Sequence, residues 1–397
     1  MIYLDSAATT PLSPKVLEAM MPYLKEEYGN AGAIYRFGRR SADAIAKARR
    51  QVADFVGATP EQIIFTSGGT EANNLAILGC KNYLNKTSKR HIITSKSEHD
   101  SVLKSVEAMC GCSYGANPTD FYTTFIPVNI YGQVIIRALQ QNINNHRDIG
   151  LVSIMHMNNE VGAINDITSI GNICRKNNIL FHTDCVQSAG SIKLNVNAIG
   201  CDFMSISSHK IHGPKGVGAL YIRDKNYISA LINGGDEQEF GLRGGTQNVA
   251  GIVGFGEACA LATEGLRDYV STVIYYKKIF FDTLHERLLK YNLNNITKVN
   301  SSCSLPGKTL SLTFKNIDAE TLVLMLDSKN VYVSAGSACR SRESHPSQAL
   351  LAMGLTPDEA RSTIRVSFSE FNKVCEVEEA AKICASCVKT LWDASNV

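Results

Sequence analysis

The sequence predicts an α/β protein with a large domain, in which helices flank a mostly parallel sheet, and a smaller α/β domain. Short apolar runs alternate with helix-length amphipathic segments through the first half of the chain, a pattern typical of parallel strands buried on both faces. From about Thr246 the pattern changes to long helical sequence and then to strands that alternate polar and apolar residues. We therefore predict a large domain over residues 14–250 and a small domain formed by residues 1–13 and 251–397.

The large domain begins with two predicted helices and continues as strands separated by helices. Ser13 and Pro14 predict a helix start, because serine is a common N-cap and proline suits the first helical position. Pro22 should kink or end this helix, and a second helix should run from about Arg40 to Phe55. The predicted strands are the apolar runs 63–65, 91–94, 151–155, 179–182 and 203–206.

The small domain should start with helical sequence that reaches roughly Tyr291. Leu310, Leu312 and Phe314 alternate with polar residues, which predicts a strand over 308–314 with one apolar face. The remaining predicted elements are a helix over 319–327, strands over 331–333 and 363–367, and a C-terminal helix. No internal repeat or proline-rich linker separates the two domains, so we expect them to pack closely.

Composition narrows the class of function. The chain has 397 residues, 44% of them hydrophobic and 19% charged, so it can bury a large core. A net charge of +3, with no basic run interleaved with aromatic residues, argues against a nucleic-acid partner. The sequence contains neither a run of about 18 apolar residues nor a signal-like N-terminal segment. We therefore expect no membrane association and a cytoplasmic location.

The twelve cysteines are scattered along the chain without the spacing of a disulfide scaffold, so we expect thiols that are mostly buried. Two pairs, Cys110 with Cys112 and Cys384 with Cys387, have metal-like spacing. The first pair lies in a predicted loop, and the second lies in a helical stretch that has no second pair nearby. We therefore expect no metal site.

The ends of the predicted strands carry most of the polar chemistry, and ligands of open parallel sheets collect at the carboxyl ends of strands. The turn Thr66-Ser67-Gly68-Gly69-Thr70-Glu71 leads into a helix predicted from Ala72 to Gly79. Its backbone N–H groups, the helix dipole and the Thr70 hydroxyl suit a phosphate group. Taken alone, this turn is explained equally well as a tight strand-to-helix connection.

Other strand ends add a carboxylate and a lysine. The segments that follow predicted strands are Glu98-His99, His156 to Glu160, Thr183 to Gln187 and Ser207 to Lys210. Pyridoxal 5'-phosphate needs a phosphate site, a carboxylate that keeps the pyridine nitrogen protonated, and a lysine that forms the Schiff base. A phosphate turn, Asp184 and Lys210 at separate strand ends of one sheet therefore predict this cofactor.

A loop of mostly small residues, Ser334 to Arg342, displays Cys339 beside Arg340 and Arg342. Cationic neighbours favour the thiolate, and small residues permit the thiol to move. On composition alone, a buried or incidental thiol is the favoured interpretation. Beside a pyridoxal phosphate site, a mobile cysteine becomes a candidate nucleophile.

Four segments resemble signature motifs of the NifS/IscS-type cysteine desulfurases, which have the aminotransferase fold. They are Thr66 to Glu71, Met155 to Glu160, Ser208 to Gly216 and Ser334 to Cys339, and the similarity extends from Tyr3 to about Phe368. The resemblance implies a homodimeric fold-type I enzyme that uses pyridoxal 5'-phosphate to convert L-cysteine to L-alanine and leaves a persulfide on the enzyme. It also implies a sulfur-acceptor protein as partner, either an iron–sulfur scaffold or a tRNA-thiolation enzyme.

The resemblance also implies roles for individual residues. Lys210 would form the Schiff base, and Cys339 would be the nucleophile. Asp184 would pair with the pyridine nitrogen, Gln187 would contact the ring hydroxyl, and His99 would stack on the ring and shuttle protons. Chemistry agrees with this assignment, since a lysine released by the substrate can act as the base for its Cα proton, and a thiolate can then attack the substrate sulfur.

The same resemblance implies how phosphate and substrate are held. The phosphate would be bound by Gly69, Thr70, Ser207 and His209, with Thr246 reaching in from the partner subunit. Asn159, which would also bind the cofactor, and Arg365 would hold the substrate carboxylate, which the planar guanidinium can contact through two hydrogen bonds.

Two other functions stay open at this point. One is a selenocysteine lyase, or another pyridoxal-phosphate lyase or aminotransferase of the same fold. The other is a catalytically inactive sulfur or metal carrier that uses its cysteines as a binding scaffold. Lys210 together with Asp184 argues against the carrier, and Cys339 argues against plain transamination, which needs no thiol.

Overall fold

The computed structural model of the chain describes residues 1–111, 120–336 and 346–395, so Cys339 and Cys112 lie outside the described residues. The helices are α1 (Pro14–Lys25), α2 (Arg36–Val56), α3 (Gly69–Gly79), α4 (Lys81–Lys86), α5 (Asp100–Met109), α6 (Ile136–Asn145), α7 (Ile167–Lys176), α8 (Val196–Ile199), α9 (Val249–Glu264), α10 (Leu266–Lys290), α11 (Ala319–Asp327), α12 (Gln348–Ala352), α13 (Pro357–Arg361) and α14 (Val374–Ser395). The strands are β1 (Ile2–Tyr3), β2 (Ile63–Thr66), β3 (His91–Ser95), β4 (Tyr122–Ile126), β5 (Ile149–Ser153), β6 (Leu180–Asp184), β7 (Phe203–Ser207), β8 (Gly218–Ile222), β9 (Thr297–Val299), β10 (Thr309–Phe314), β11 (Val331–Tyr332), β12 (Ser334–Ala335) and β13 (Thr363–Ser367).

The large sheet has the strand order β2-β8-β7-β6-β5-β3-β4. In the run β7-β6-β5-β3-β4, each strand is parallel to the next. β8 is antiparallel to both β2 and β7, so β2 runs in the same direction as the parallel strands. The carboxyl ends of these strands therefore meet at one edge. This arrangement confirms the predicted mostly parallel sheet with flanking helices.

The sequence analysis did not predict β4 or β8. β4 is largely exposed or half-buried and so shows no apolar run, and β8 begins with Gly218 and Ala219, which are weak strand formers. The predicted strand over 151–155 was placed two residues too late. Met155 leaves the sheet, and its N–H donates to a carboxylate oxygen of Glu98 at 2.8 Å.

Helix boundaries differ from the predictions in four places, and one of them is α3, which begins at Gly69, three residues before the predicted Ala72. Pro22 lies inside α1, which continues to Lys25, and α2 begins four residues before the predicted Arg40. The long helical stretch after Thr246 is two helices, α9 and α10, with an angle of 75° between them. Among the described helices, no single one is long and apolar enough to cross a membrane, whereas α9 and α10 together meet the length and composition criteria as this bent pair.

The larger core extends past the predicted boundary at residue 250. α9 packs on α1 and α2, and its Ile252 and Phe255 belong to the core of the large sheet. Gly256 allows this close approach, since a Cβ there would lie 2.7 Å from the Cα of Ala48. Leu350 of α12 joins the same core. This packing puts α9 and α12 with the large domain, while the division into domains itself stays a prediction.

The smaller core is built on the antiparallel sheet β12-β13-β10-β9. Leu310, Leu312 and Phe314 are fully buried in it, as the predicted apolar face of this strand requires. The opposite face of β10 is also buried. On this face Nδ2 of Asn300 donates to the hydroxyl of Thr313 at 2.8 Å. The middle of β13 supplies Arg365 to the interface between the two cores.

The N-terminal segment joins the two cores. β1 pairs with β11 of the small domain, and the N–H of Ser6 donates to the carbonyl of Ser367 at 3.2 Å. A few residues later, the N–H of Thr10 donates to the carbonyl of His209 at 3.1 Å. Residues 2–10 therefore connect strand β13 directly to the turn that carries Lys210.

Candidate active site

A cavity of about 310 Å³ lies at the carboxyl edge of the large sheet, and we refer to it as the active-site cavity. The predicted site residues that line it are Gly69, Thr70, His99, Asn159, Asp184, Gln187, Ser207, His209, Lys210 and Arg365. All but Arg365 follow or end a strand of the large sheet. The topology therefore brings together the residues that the sequence places at separate strand ends.

The phosphate end of the cavity is a cup formed by Gly69, Thr70, Ser207 and His209, which also line a hollow beside the cavity. The Ser207 hydroxyl is buried and has no hydrogen-bond partner among the described residues. A Cβ at residue 69 would lie 2.7 Å from a methyl group of Val186, so glycine is needed there. Backbone N–H groups at the start of α3 and an unpartnered hydroxyl fit a phosphate group well.

Lys210 ends a short 3₁₀ turn after β7. Its Nζ donates to the carbonyl oxygens of Ala7 at 2.7 Å and Ala8 at 2.8 Å. The N-terminal segment therefore positions this amine. Lys215 is the other lysine in the segment 208–216. It lines the hollow beside the cup rather than the active-site cavity.

Asp184 ends β6 and is 5% exposed. Its Oδ1 accepts from the N–H of Val186 at 2.9 Å, and its Oδ2 accepts from Nδ2 of Asn73 at 2.7 Å. Gln187 is held by the N-terminal segment, because its Nε2 donates to the carbonyl of Ala7 at 2.9 Å. Hydrogen bonds from neutral donors stabilise the Asp184 carboxylate without cancelling its charge, as a partner for a protonated pyridine nitrogen requires.

His99 is the N-cap of α5, and its Nδ1 accepts the N–H of Ser101 at 3.1 Å. The Ser101 hydroxyl lies 2.8 Å from the same nitrogen. A histidine fixed through one ring nitrogen has a defined ring orientation. His209 is held similarly, with its Nδ1 3.1 Å from the hydroxyl of Thr9, and burial lowers the pKa of His209 to about 4, with a further contribution from the Lys210 charge.

Glu98 is a cavity residue to which the sequence analysis gave no role. It is 6% exposed, its Oε1 accepts from the N–H of Met155, and its Oε2 has no partner among the described residues. Burial raises the pKa of Glu98 well above its usual value, and the nearby Asp184 charge raises it further. Both effects favour the protonated form of this carboxyl group. Its position directly before His99 was the available sequence signal.

Arg365 is 2% exposed and forms the small-domain wall of the cavity. One terminal nitrogen donates to Oδ1 of Asp5 at 2.8 Å, and the other donates to the carbonyl of Asn159 at 3.2 Å. Asp5 also accepts from the hydroxyl of Ser334 at 2.8 Å. The sequence analysis did not identify Asp5 as the partner of this arginine, because the two residues are 360 positions apart.

Lys308 is a buried lysine behind the cavity. Its Nζ donates to the backbone carbonyl of Lys210 at 2.8 Å, and the residue is 1% exposed. Burial, together with the charge of Lys210, lowers the pKa of Lys308 to about 7. The small domain thus contacts the predicted Schiff-base lysine through its backbone.

Two of the predicted site residues, Thr246 and Cys339, are not among the described residues that line the active-site cavity. Thr246 is exposed, and its expected contact with a second subunit stays a prediction. Cys339 lies outside the described residues, so its role also stays a prediction. Within residues 1–111, 120–336 and 346–395, no group of three or more His, Cys, Asp or Glu side chains is placed to hold a metal ion.

Comparison with known proteins identifies the family. The class-V aminotransferase family matches residues 2–379. The cysteine desulfurase IscS of Methanosarcina thermophila is 39% identical over 99% of this chain and 93% of that protein. A solved NifS-like protein has a TM-score of 0.86 at 34% identity and covers 98% of this chain and 100% of its own. Another solved structure, SspA in complex with cysteine, has a TM-score of 0.74 at 32% identity, over 94% of this chain and 100% of its own.

The family match covers all the residues that line the active-site cavity. The family match spans both cores, and it covers the turn with Lys210 and the strand with Arg365. The resemblance predicted from the motifs is thereby confirmed. The chain belongs to the class-V aminotransferases and, within them, to the cysteine desulfurases of the IscS/NifS type.

Proposed function

We propose that this chain binds pyridoxal 5'-phosphate in the active-site cavity and transfers the sulfur of L-cysteine to Cys339. Class-V aminotransferases in general depend on this cofactor, and the comparison structure of SspA was solved with cysteine. The observation that carries the proposal is that the amine of Lys210, the carboxylate of Asp184 and the phosphate cup line a single cavity. Arg365 closes the same cavity from the small domain.

The cofactor's site follows from these side chains. Pyridoxal phosphate, when bound, supplies an electron sink for the bonds that break at the substrate. Gly69, Thr70, Ser207 and His209 would hold its phosphate. Asp184 would hold the proton of the pyridine nitrogen, Gln187 would donate to the ring hydroxyl, and His99 would lie against the ring.

Substrate binding and proton transfer use the opposite end of the cavity. Arg365 and Asn159 would bind the substrate carboxylate, and the buried Nε of Arg365 has no partner among the described residues, which supports this role. The Lys210 amine would form the bond to the cofactor, and its release by substrate leaves it free to take the Cα proton. The carbonyls of Ala7 and Ala8 hold that amine beside the substrate site.

Sulfur transfer assigns the remaining role to Cys339. The thiolate would attack the substrate sulfur, forming an S–S bond as the carbon–sulfur bond breaks. L-cysteine and the Cys339 thiol thus give L-alanine and a Cys339 persulfide, with no external oxidant or reductant. Buried cysteines are poor candidates, since burial raises the pKa of Cys80 and of Cys185 to about 12 and keeps them as thiols.

The experiment compares Cys339→Ser with Cys375→Ser, in which a different, exposed thiol is removed. We expect Cys339→Ser to keep the visible absorption of the bound cofactor and its change on adding L-cysteine, yet to make little alanine and carry no persulfide. Cys375→Ser should behave as wild type. Alanine formation by Cys339→Ser at the wild-type rate, or a persulfide mapped by mass spectrometry to another cysteine, would contradict the assignment. Strong activity of Cys339→Ser on selenocysteine would instead favour the selenocysteine lyase.

We propose that the enzyme acts as a cytoplasmic homodimer that passes sulfur to an acceptor protein for iron–sulfur cluster assembly or tRNA thiolation. The loop over 231–246 supports the dimer, because it exposes Leu231, Ile232 and Phe240 together with Thr246. Exposed apolar groups close together favour contact with a protein surface. Sedimentation velocity tests this proposal, and a fully active monomer would contradict it.

A further inference from the structure

Two buried polar side chains connect Asp184 to His99. Asn73 of α3 is 1% exposed and Ser101 of α5 is 8% exposed. Nδ2 of Asn73 lies 2.7 Å from Oδ2 of Asp184 and 2.8 Å from Oγ of Ser101. The same Oγ lies 2.8 Å from Nδ1 of His99. Three consecutive hydrogen bonds therefore run from the carboxylate to the imidazole, and we call Asn73 and Ser101 the relay pair.

The direction of each bond follows from the chemistry of the groups. An ionised carboxylate only accepts, so the atom of Asn73 that faces Asp184 is the amide nitrogen. That nitrogen has two hydrogens, one for Asp184 and one for the Ser101 oxygen. Because the Ser101 oxygen accepts from Asn73, its own hydrogen is available to donate to His99.

The imidazole nitrogen at the end of the relay therefore receives two donors. The hydroxyl of Ser101 points its hydrogen at Nδ1, and the backbone N–H of Ser101 donates to the same nitrogen at 3.1 Å. A backbone N–H cannot reverse its role, so a proton on Nδ1 would face a donor at close range. The neutral ring consequently carries its proton on Nε2.

We propose that Asn73 and Ser101 are positioning residues that hold His99 as the Nε2–H tautomer and couple it to Asp184. In this tautomer His99 can donate a hydrogen bond from Nε2, but it cannot accept a proton without breaking the relay at Nδ1. The base that removes the Cα proton is then Lys210, and His99 supplies a hydrogen-bond donor at Nε2. This inference rests on the proposed function for its catalytic meaning, whereas the tautomer itself is a property of the protein alone.

The relay also predicts different effects at its two positions. Loss of the Ser101 hydroxyl removes a donor from His99 and leaves the hydrogen bond from Asn73 to Asp184 in place. Loss of the Asn73 amide removes a donor from Asp184 as well. We therefore expect Ser101→Ala to change His99 alone, and Asn73→Ala to change both His99 and the pH midpoint of the cofactor's visible absorption.

Nitrogen NMR of protein labelled with ¹⁵N-histidine tests the tautomer directly, because protonated and unprotonated ring nitrogens have well separated shifts. His99→Gln assigns the signals by their loss. We expect His99 of the wild type to be the neutral Nε2–H form near neutral pH. In Ser101→Ala the backbone N–H is the one relay donor left on Nδ1, so we expect the same tautomer with a shifted Nδ1 signal and a larger share of imidazolium. Ser101→Thr keeps a hydroxyl and should restore the wild-type signals.

Ser105→Ala is the matched control, since Ser105 lies one turn further along α5 and its hydroxyl donates to the carbonyl of Ser101 at 2.7 Å, away from His99. Its His99 signals should be those of the wild type. In the loaded enzyme, Ser101→Ala should lower kcat by about 2- to 10-fold with little change in KM, the equivalent of one neutral hydrogen bond.

A wild-type His99 protonated on Nδ1, or Ser101→Ala signals identical to wild type, would overturn the relay. These outcomes are separable from failure of the proposed function. An enzyme that forms alanine and a Cys339 persulfide while His99 is the Nδ1–H form refutes the relay alone. A chain with the Nε2–H form but no sulfur transfer refutes the proposed function alone.

Discussion

The two walls of the active-site cavity are built differently. The large-domain wall is made at the ends of adjacent strands in one sheet, and Asp184 and Lys210 are held there by short hydrogen bonds to neighbouring groups. The small-domain wall consists of Arg365, whose guanidinium depends on Asp5 of the N-terminal segment and on the carbonyl of Asn159. The proposed cofactor half is thus built mainly at the strand ends of one core, with the N-terminal segment holding Lys210 and Gln187, whereas the proposed substrate half requires contact between two cores.

This difference predicts that cofactor binding and substrate binding can be altered by separate substitutions. A change on the large-domain wall should remove the cofactor together with the activity. A change on the small-domain wall should leave the cofactor in place and impair the use of L-cysteine. Lys308 is an exception to this division, because its side chain belongs to the small domain and donates to the backbone carbonyl of Lys210.

The largest effect is expected for Lys210→Ala on the large-domain wall. The substitution removes both the bond to the cofactor and the base, so alanine formation should fall by more than roughly a thousandfold. Borohydride should no longer fix the cofactor to the protein. In the wild type, peptide mapping after borohydride reduction should find the cofactor on Lys210 and not on Lys215. A reduced adduct on Lys215 would show that the wrong lysine has been assigned.

An intermediate effect is expected for Arg365→Ala on the small-domain wall. Loss of a charged hydrogen bond to the substrate carboxylate costs about 1.5–3 kcal/mol, so kcat/KM should fall about 10- to 100-fold while the cofactor's absorption is retained. Arg361→Ala is the matched control, because Arg361 is a half-exposed arginine of the small domain that pairs with Asp358 at 3.0 Å. Equal kinetics for Arg365→Ala and Arg361→Ala would reduce Arg365 to a structural ion pair.

Per pH unit, the smallest effect is expected for the stability contributed by Lys308, where the two walls meet. Burial lowers the pKa of Lys308 to about 7, whereas an unfolded lysine titrates near 10.5. Between these values the unfolded chain binds more protons, so this lysine costs most stability below pH 7 and the cost fades as pH rises.

Lys308→Met removes this dependence. The free energy of unfolding of the wild type should therefore rise relative to the variant above pH 7, by up to about 1.4 kcal/mol per pH unit. Denaturant unfolding of both proteins at a series of pH values measures the difference. A difference that is constant with pH would mean that Lys308 keeps its ordinary protonation and that the contact between the walls is less buried than the structure indicates.

The sequence by itself determined the class of fold and most of the cofactor wall. Apolar runs that alternate with helices specify a parallel sheet, and such a sheet brings the ends of its strands to one edge whatever the details of packing. Gly69, Asp184 and Lys210 could therefore be assigned to one site from their positions after predicted strands. The cysteine desulfurase motifs then indicated the family, which the full-length relatives confirm.

The tertiary structure alone decided which distant residues hold these groups. Asp5 supports Arg365 across 360 positions, Lys308 contacts Lys210 across 98, and Asn73 connects α3 to both Asp184 and Ser101. No periodicity marks such residues, because a side chain's partner depends on how helices and sheets pack and not on its neighbours in sequence. β4 was missed for a related reason, since its place in the sheet comes from pairing with β3 and not from an apolar run of its own. β8 was missed although its residues are apolar and buried, because it begins with Gly218 and Ala219, which are weak strand formers.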